Sequence, residues 1–262
     1  MDRDQNVLQQ QLSDALRRVP GARALIEFGS RREGKADTFS DVDLQLLVDD
    51  CTTALPVFLT ILGDEVSPEV EWTISDDPNH YWLMAIPNSS HPWLKVDIGL
   101  DPYNNGKPEN LGWSGEVVWT QDAPISPSKK IVQPNWPRPV PGTIENFILW
   151  QLIDLGRLAK FQYRGQPLNV LKFVSQLTQA VIAVEAFRSS IHDDFTDMPS
   201  TAAISDLDQS AFNYLADMNI SMFEYIDQLA YRLCDAVGSD THLRDLYERM
   251  VIASNSVIRI PD

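Results

Sequence analysis

The segment FGSRREGKADTFSDVDLQLLV, residues 28–48, connects two apolar runs with the length and composition of buried β-strands. The first run covers residues 24–28 and the second covers residues 44–48. Gly29 and Ser30 end the first run with a tight turn. The backbone N–H groups of such a turn suit a phosphate. The sequence therefore predicts a strand, a phosphate-binding turn and a second strand.

A pair of carboxylates, Asp41 and Asp43, opens the second strand. Residues at i and i+2 on an extended chain point to the same side, so the two carboxylates can share one hard divalent cation. Paired carboxylates beside a phosphate-binding turn indicate metal-assisted phosphoryl or nucleotidyl transfer. The alternative is an ordinary Gly-Ser turn, with Asp41 as a helix or strand cap.

A third carboxylate, Asp97, lies inside the apolar run WLKVDIGL, residues 93–100. The order of a strand, Gly-Ser, Asp-x-Asp and a later carboxylate-bearing strand resembles the nucleotidyltransferase superfamily of DNA polymerase beta type. Within that superfamily the chain resembles the aminoglycoside and lincosamide adenylyltransferases, which are antibiotic-resistance enzymes. The motifs cover residues 20–100, and beyond them the resemblance is one of architecture only.

The resemblance implies an enzyme that transfers AMP from ATP to a hydroxyl of a small molecule and releases pyrophosphate. Asp41 and Asp43 are then expected to bind Mg2+. Asp97 is expected to lie on a strand next to the Asp-x-Asp strand, and to complete the metal site or to accept the proton of the attacking hydroxyl. The alternative for Asp97 is an aspartate without a catalytic role on a partly exposed edge strand.

The resemblance also suggests residues that bind the two substrates. For Arg31 and Lys172 an exposed surface side chain is the alternative, and Ser30 could equally cap a helix. The expected nucleotide-binding residues are Gly29, Ser30, Arg31 and Lys172, and the expected acceptor-binding residues are Glu145 and Trp150.

Periodicity and turn signals predict an α/β (α+β) catalytic domain with a mixed sheet, followed by an all-α helical bundle. The turn-rich and proline-rich residues 101–141 separate the two, which gives domains 1–135 and 142–262. We expect the acceptor to bind in a cleft between them. The predicted helices are 7–18, 53–62, 144–158, one that includes 170–184, 206–217, 220–237 and 240–254, and the further predicted strands are 70–75, 81–86, 94–100 and 117–120.

The formal net charge of −16 disfavours a nucleic-acid partner and favours solubility or a cationic acceptor. Two cysteines predict neither a disulfide framework nor a zinc site. With no apolar run long enough to span a bilayer and no signal-like start, we expect a cytoplasmic protein without a membrane partner. The sequence leaves open a homodimer, and two other functions: a nucleotidyltransferase-like regulatory partner of a toxin–antitoxin pair, and an RNA-end nucleotidyltransferase.

Overall fold

The structure is a computed structural model that describes residues 5–30, 36–37, 39–77, 79–88, 94–103, 115–121 and 156–189, with a few isolated residues beyond them. The chain divides into two compact units, Met1–Pro139 and Val140–Asp262. Within the described ranges, no helix is both long enough and apolar enough to cross a bilayer.

The first unit contains a mixed six-stranded sheet, as predicted. The strand order is β3-β4-β5-β2-β1-β6, in which β2 and β5 pair in parallel and the other neighbouring strands are antiparallel. The predicted hairpin is confirmed by the antiparallel pairing of β3 with β4. The elements are α1 (Gln5–Leu16), β1 (Ala22–Glu27), β2 (Val42–Val48), α2 (Cys51–Val66), β3 (Pro68–Asp77), β4 (His80–Pro87), β5 (Val96–Pro102) and β6 (Glu116–Thr120).

One face of this sheet forms the main hydrophobic core with α1 and α2. Alternate residues of β2 and β5 point to this face because side chains alternate across a strand. They pack with the fully buried Leu8, Leu12 and Phe58 of the two helices. The residues that β2 and β5 contribute are Val42, Leu44, Leu46, Val48, Val96, Ile98 and Leu100.

Helix α2 is longer at both ends than the predicted 53–62. It begins after Asp50, whose side chain accepts a hydrogen bond from the Thr52 backbone N–H at 3.1 Å. This cap places the start at Cys51, two residues earlier than predicted, and Pro56 lies inside the helix. The hydrogen bonds from the Thr53 hydroxyl and the Thr52 N–H lower the pKa of the Asp50 carboxyl. The helix ends at Ser67, which adopts the left-handed conformation with φ 47°.

The other face of the sheet carries the polar residues of the two central strands. Asp43 pairs with Asp97 in the parallel register, and Gln45 pairs with Gly99 two residues further on. Asp101 follows on the same side of β5, because residues at i and i+2 share a face. The fold therefore collects several polar side chains on one face of two adjacent strands.

The second unit is helical wherever the structure describes more than isolated residues. Residues 156–163 are helical, and α3 (Pro167–Ser189) follows after a turn in which Gly165 has φ 62°. Phe161 and Phe173 stack with ring centroids 5.4 Å apart. The predicted helices 206–217, 220–237 and 240–254 lie outside the continuous described ranges. The helical bundle and the domain limits 1–135 and 142–262 therefore stay predictions.

Candidate metal centre

Three carboxylates converge where β2 and β5 begin. Asp41 directly precedes β2, Asp43 is its second residue, and Asp97 is the second residue of β5. One carboxylate oxygen from each lies within 4.8 Å of the other two, and all three residues are half-buried. The parallel pairing explains the cluster, because it sets the starts of both strands side by side. The sequence prediction that Asp97 lies on a strand next to the Asp-x-Asp strand is correct.

The Gly29 turn packs directly against this cluster. Gly29 has φ 78°, and a Cβ built there would lie 3.0 Å from Asp43 Cγ and would overlap Asp43 Oδ2. The neighbouring Phe28 N–H donates to the Asp43 carbonyl at 3.2 Å, which holds the turn against β2. The missing side chain of Gly29 therefore makes room for the Asp43 carboxylate. The expected close approach of a phosphate to Gly29 stays a prediction.

Ser30 and Ser40 connect the two ends of the segment. The Ser30 hydroxyl donates to Ser40 Oγ at 2.9 Å. Ser40 is fully buried, and its Oγ accepts a hydrogen bond from the Asp37 backbone N–H at 2.9 Å. These bonds position the Ser30 turn relative to the residue that precedes Asp41. The role of Ser30 in phosphate binding stays a prediction.

Lys95 is part of the cluster, although the sequence analysis did not select it. Its Nζ contacts Asp97 Oδ2 and lies 3.3 Å from Asp41 Oδ2. Lys95 is buried, with 8% of its surface exposed. The signal in the sequence is its position two residues before Asp97, which places both side chains on one face. Its contact with Asp41 depends on the pairing of the two strands, which no local pattern reveals.

The donor set suits a hard divalent cation. Carboxylate oxygens are the ligands that Mg2+ prefers, and it is commonly bound through one or two of them together with substrate phosphates. Asp97 Oδ1 is buried and, within the described part of the chain, has no hydrogen-bond partner. A buried carboxylate oxygen without a partner is energetically unfavourable unless it binds a cation or accepts a hydrogen bond. The three carboxylates therefore fit a Mg2+ ion.

A second polar group continues along the same face. Gln45 Nε2 donates to Asp101 Oδ2, and His80 Nδ1 lies 2.5 Å from Asp101 Oδ1. Between Asp97 and Asp101, Gly99 leaves space for the ring of Trp82, which a Cβ at position 99 would overlap. Trp82 therefore packs on the strand between the carboxylate cluster and the Asp101 group.

The remaining predicted site residues are not part of the described cluster. Arg31, Glu145 and Trp150 lie outside the described residues. Lys172 is exposed on α3 in the second unit, with its Nζ 5.7 Å from the centroid of the Phe173 ring. The substrate-binding roles of these four residues stay predictions.

No protein-family model matches the chain, and no curated protein matches its sequence. Among solved structures, the chain is similar to an aminoglycoside 6-adenyltransferase from Bacillus subtilis. The identity is 11%, the TM-score is 0.34, and the match covers 98% of this chain and 99% of that one. It is also similar to the STING-associated CdnE c-di-GMP synthase from Capnocytophaga granulosa, with 10% identity, a TM-score of 0.29, and coverage of 97% and 79%.

Both solved structures belong to the nucleotidyltransferase superfamily, which the sequence motifs of this chain resemble. In this chain, the features that bear on function are the carboxylate cluster and the Gly29 turn beside it.

Replacing Gly29 by alanine is expected to disable the cluster. The added methyl group would push the Asp43 carboxylate aside, and a displacement of about 1 Å in a catalytic group can cost about 100-fold in rate. We therefore expect the nucleotidyl transfer that the sequence motifs predict to fall by about that factor, measured at saturating ATP and Mg2+. Gly165→Ala is the matched control, since Gly165 also has positive φ but a Cβ there meets nothing within 4 Å. Unchanged turnover in folded Gly29→Ala would contradict the packing of this turn on Asp43.

Proposed function

We propose that the chain is a Mg2+-dependent nucleotidyltransferase that transfers AMP from ATP to a hydroxyl of a small molecule. The observation that supports this is the convergence of Asp41, Asp43 and Asp97 beside the Gly29 turn. Carboxylates on adjacent strands next to a phosphate-binding turn suit nucleotidyl transfer, because the carboxylates can hold the metal ion while the turn holds the triphosphate.

The carboxylates and the turn have different roles in the proposed transfer. Asp41 and Asp43 hold the cation, which when bound neutralises the triphosphate and makes its α-phosphorus more electrophilic. Asp97 accepts the proton of the attacking hydroxyl, or completes the metal site. The backbone of Gly29 and Ser30 donates to the outer phosphates, whose release as pyrophosphate completes the transfer.

The remaining contacts are proposed from the resemblance in sequence. Arg31 and Lys172 supply positive charge for the triphosphate, and Glu145 and Trp150 contact the acceptor. A carboxylate and an aromatic ring suit a polar cationic ligand, since one pairs with its charge and the other covers its apolar face.

The net charge of the chain supports a cationic acceptor. The formal net charge of −16 attracts a polycation and repels a polyanion, so an aminoglycoside suits the chain better than a nucleic acid does. A lincosamide, which resembles an aminoglycoside in carrying sugar hydroxyls and an amine, is the second acceptor that we propose.

The test is pyrophosphate release from ATP and Mg2+ with a panel of aminoglycosides and lincosamides. We expect release with at least one acceptor, and a product heavier by one AMP in mass spectrometry. The Asp43→Asn variant gives the background rate, because it changes one atom of the cluster and keeps the shape of the side chain. Release in neither drug class would contradict the proposed acceptors, and equal release by Asp43→Asn would contradict the proposed site.

A further inference from the structure

Lys95 places a positive charge among the proposed metal ligands. Its Nζ contacts Asp97 Oδ2 and lies 3.3 Å from Asp41 Oδ2, while only 10% of its side chain is exposed. Its backbone is fixed as well, because the Lys95 carbonyl accepts a hydrogen bond from the Val42 N–H at 2.9 Å at the start of the parallel strand pair. The position of Lys95 is therefore set by the same strand pairing that assembles the carboxylates.

In the metal-free protein, the ammonium group of Lys95 reduces the repulsion among the three carboxylates. Three half-buried carboxylates repel one another, and one ammonium group between two of them offsets part of that repulsion. The compensation is incomplete, because Asp97 Oδ1 has no hydrogen-bond partner within the described residues. Asp97 Oδ1 is therefore an oxygen that a divalent cation can bind.

A divalent cation and the ammonium group of Lys95 compete for the same carboxylates. Mg2+ lies about 2.0–2.1 Å from its oxygen ligands, so a cation bound to Asp41 and Asp97 would be close to the Nζ that contacts both. Like charges at such distances repel strongly in a partly buried site. Metal binding therefore weakens the ion pairs of Lys95, and those ion pairs weaken metal binding.

We propose that Lys95 is an internal counter-ion of the metal site, which stabilises the carboxylates of the metal-free protein and is displaced from them when a divalent cation binds. This rests on the proposed metal-dependent function. Lys95 acts here as a positioning residue: it holds the side chains of Asp41 and Asp97 in place without a cation, and it lowers the affinity of the site for one.

The test measures Mn2+ binding without nucleotide, by the electron paramagnetic resonance signal of free Mn2+, in wild type and Lys95→Met. We expect the variant to bind Mn2+ at least about tenfold more tightly, because the competing charge is gone. The metal-free variant should melt several degrees below wild type, since two half-buried carboxylates lose the ammonium group that they share. Mn2+ should raise its melting temperature more than that of wild type.

Two further variants make the result specific. Arg23→Met removes one positive charge that pairs with Asp49 beyond the opposite end of β2, and it should leave Mn2+ affinity within about twofold of wild type, as distant charges are screened. Lys95→Arg keeps the charge and should bind Mn2+ less tightly than Lys95→Met. If Lys95→Met does not fold, Lys95→Gln serves in its place, because it also removes the charge but keeps a hydrogen-bond donor.

The outcomes separate this inference from the proposed function. Mn2+ binding by wild type with equal or weaker binding by Lys95→Met would overturn the counter-ion role and leave the metal site intact. Equal tightening in Lys95→Arg and Lys95→Met would also overturn it, because charge would then not be the cause. No Mn2+ binding by wild type or by either charge-removing variant would overturn the metal site itself, and the proposed function with it.

Discussion

Asp43→Asn is expected to lower nucleotidyl transfer by more than about 100-fold, since altering even the groups that orient metal ligands costs about 10–100-fold. Asp43 pairs with Asp97 across the parallel strands, and its carboxylate occupies the space that Gly29 leaves. Asparagine has nearly the same shape, so the fold is expected to persist while one negative charge of the cluster is lost. The effect should appear in turnover at saturating ATP and Mg2+.

The matched control for this variant is Asp14→Asn. Asp14 is exposed on α1, where its carboxylate accepts a hydrogen bond from Gln10 at 3.0 Å. The control removes the same charge by the same substitution outside the cluster, and its turnover should equal that of wild type. Thermal melting checks that both variants are folded. A folded Asp43→Asn variant with wild-type turnover would show that Asp43 holds no catalytic metal.

Asp97→Asn is expected to lower the rate of the chemical step by about 10²–10⁴-fold, the usual cost of losing a general base. If Asp97 acts chiefly as the base, affinity for Mg2+–ATP should change little. Single-turnover rates and nucleotide affinity, measured on the same preparation, separate the two roles. A parallel fall in affinity and rate would show that Asp97 is mainly a metal ligand. An unchanged rate would show that neither role belongs to Asp97.

Local sequence patterns were sufficient to predict the strands of the first unit. The apolar runs of β2 and around Asp97 predicted both central strands, and the aspartates beside and within those runs identified the carboxylates. The pattern could do this because a strand that is buried on both faces leaves a short, continuous apolar run in the sequence. The prediction that Asp97 lies on a neighbouring strand is confirmed, and it came from the resemblance to a known family.

Contacts between distant segments could not be predicted in the same way. The packing of Gly29 against Asp43 and the contact of Lys95 with Asp41 depend on strand pairing, which local patterns do not encode. Helix α2 begins at Cys51, two residues before the predicted start, because Asp50 caps its first turn. An aspartate in the N-cap position is a local signal, so this start can be read from the sequence alone.

The most direct test of the central claim follows the fate of the phosphates of ATP. With an acceptor identified in the panel, the enzyme is supplied in parallel with ATP labelled at the α-phosphate and ATP labelled at the γ-phosphate. Nucleotidyl transfer predicts that the α-label moves to the acceptor and that the γ-label leaves as pyrophosphate, both dependent on Mg2+ and on Asp43. Transfer of the γ-label to the acceptor would contradict the account, because the chain would then transfer a phosphoryl group and not a nucleotide.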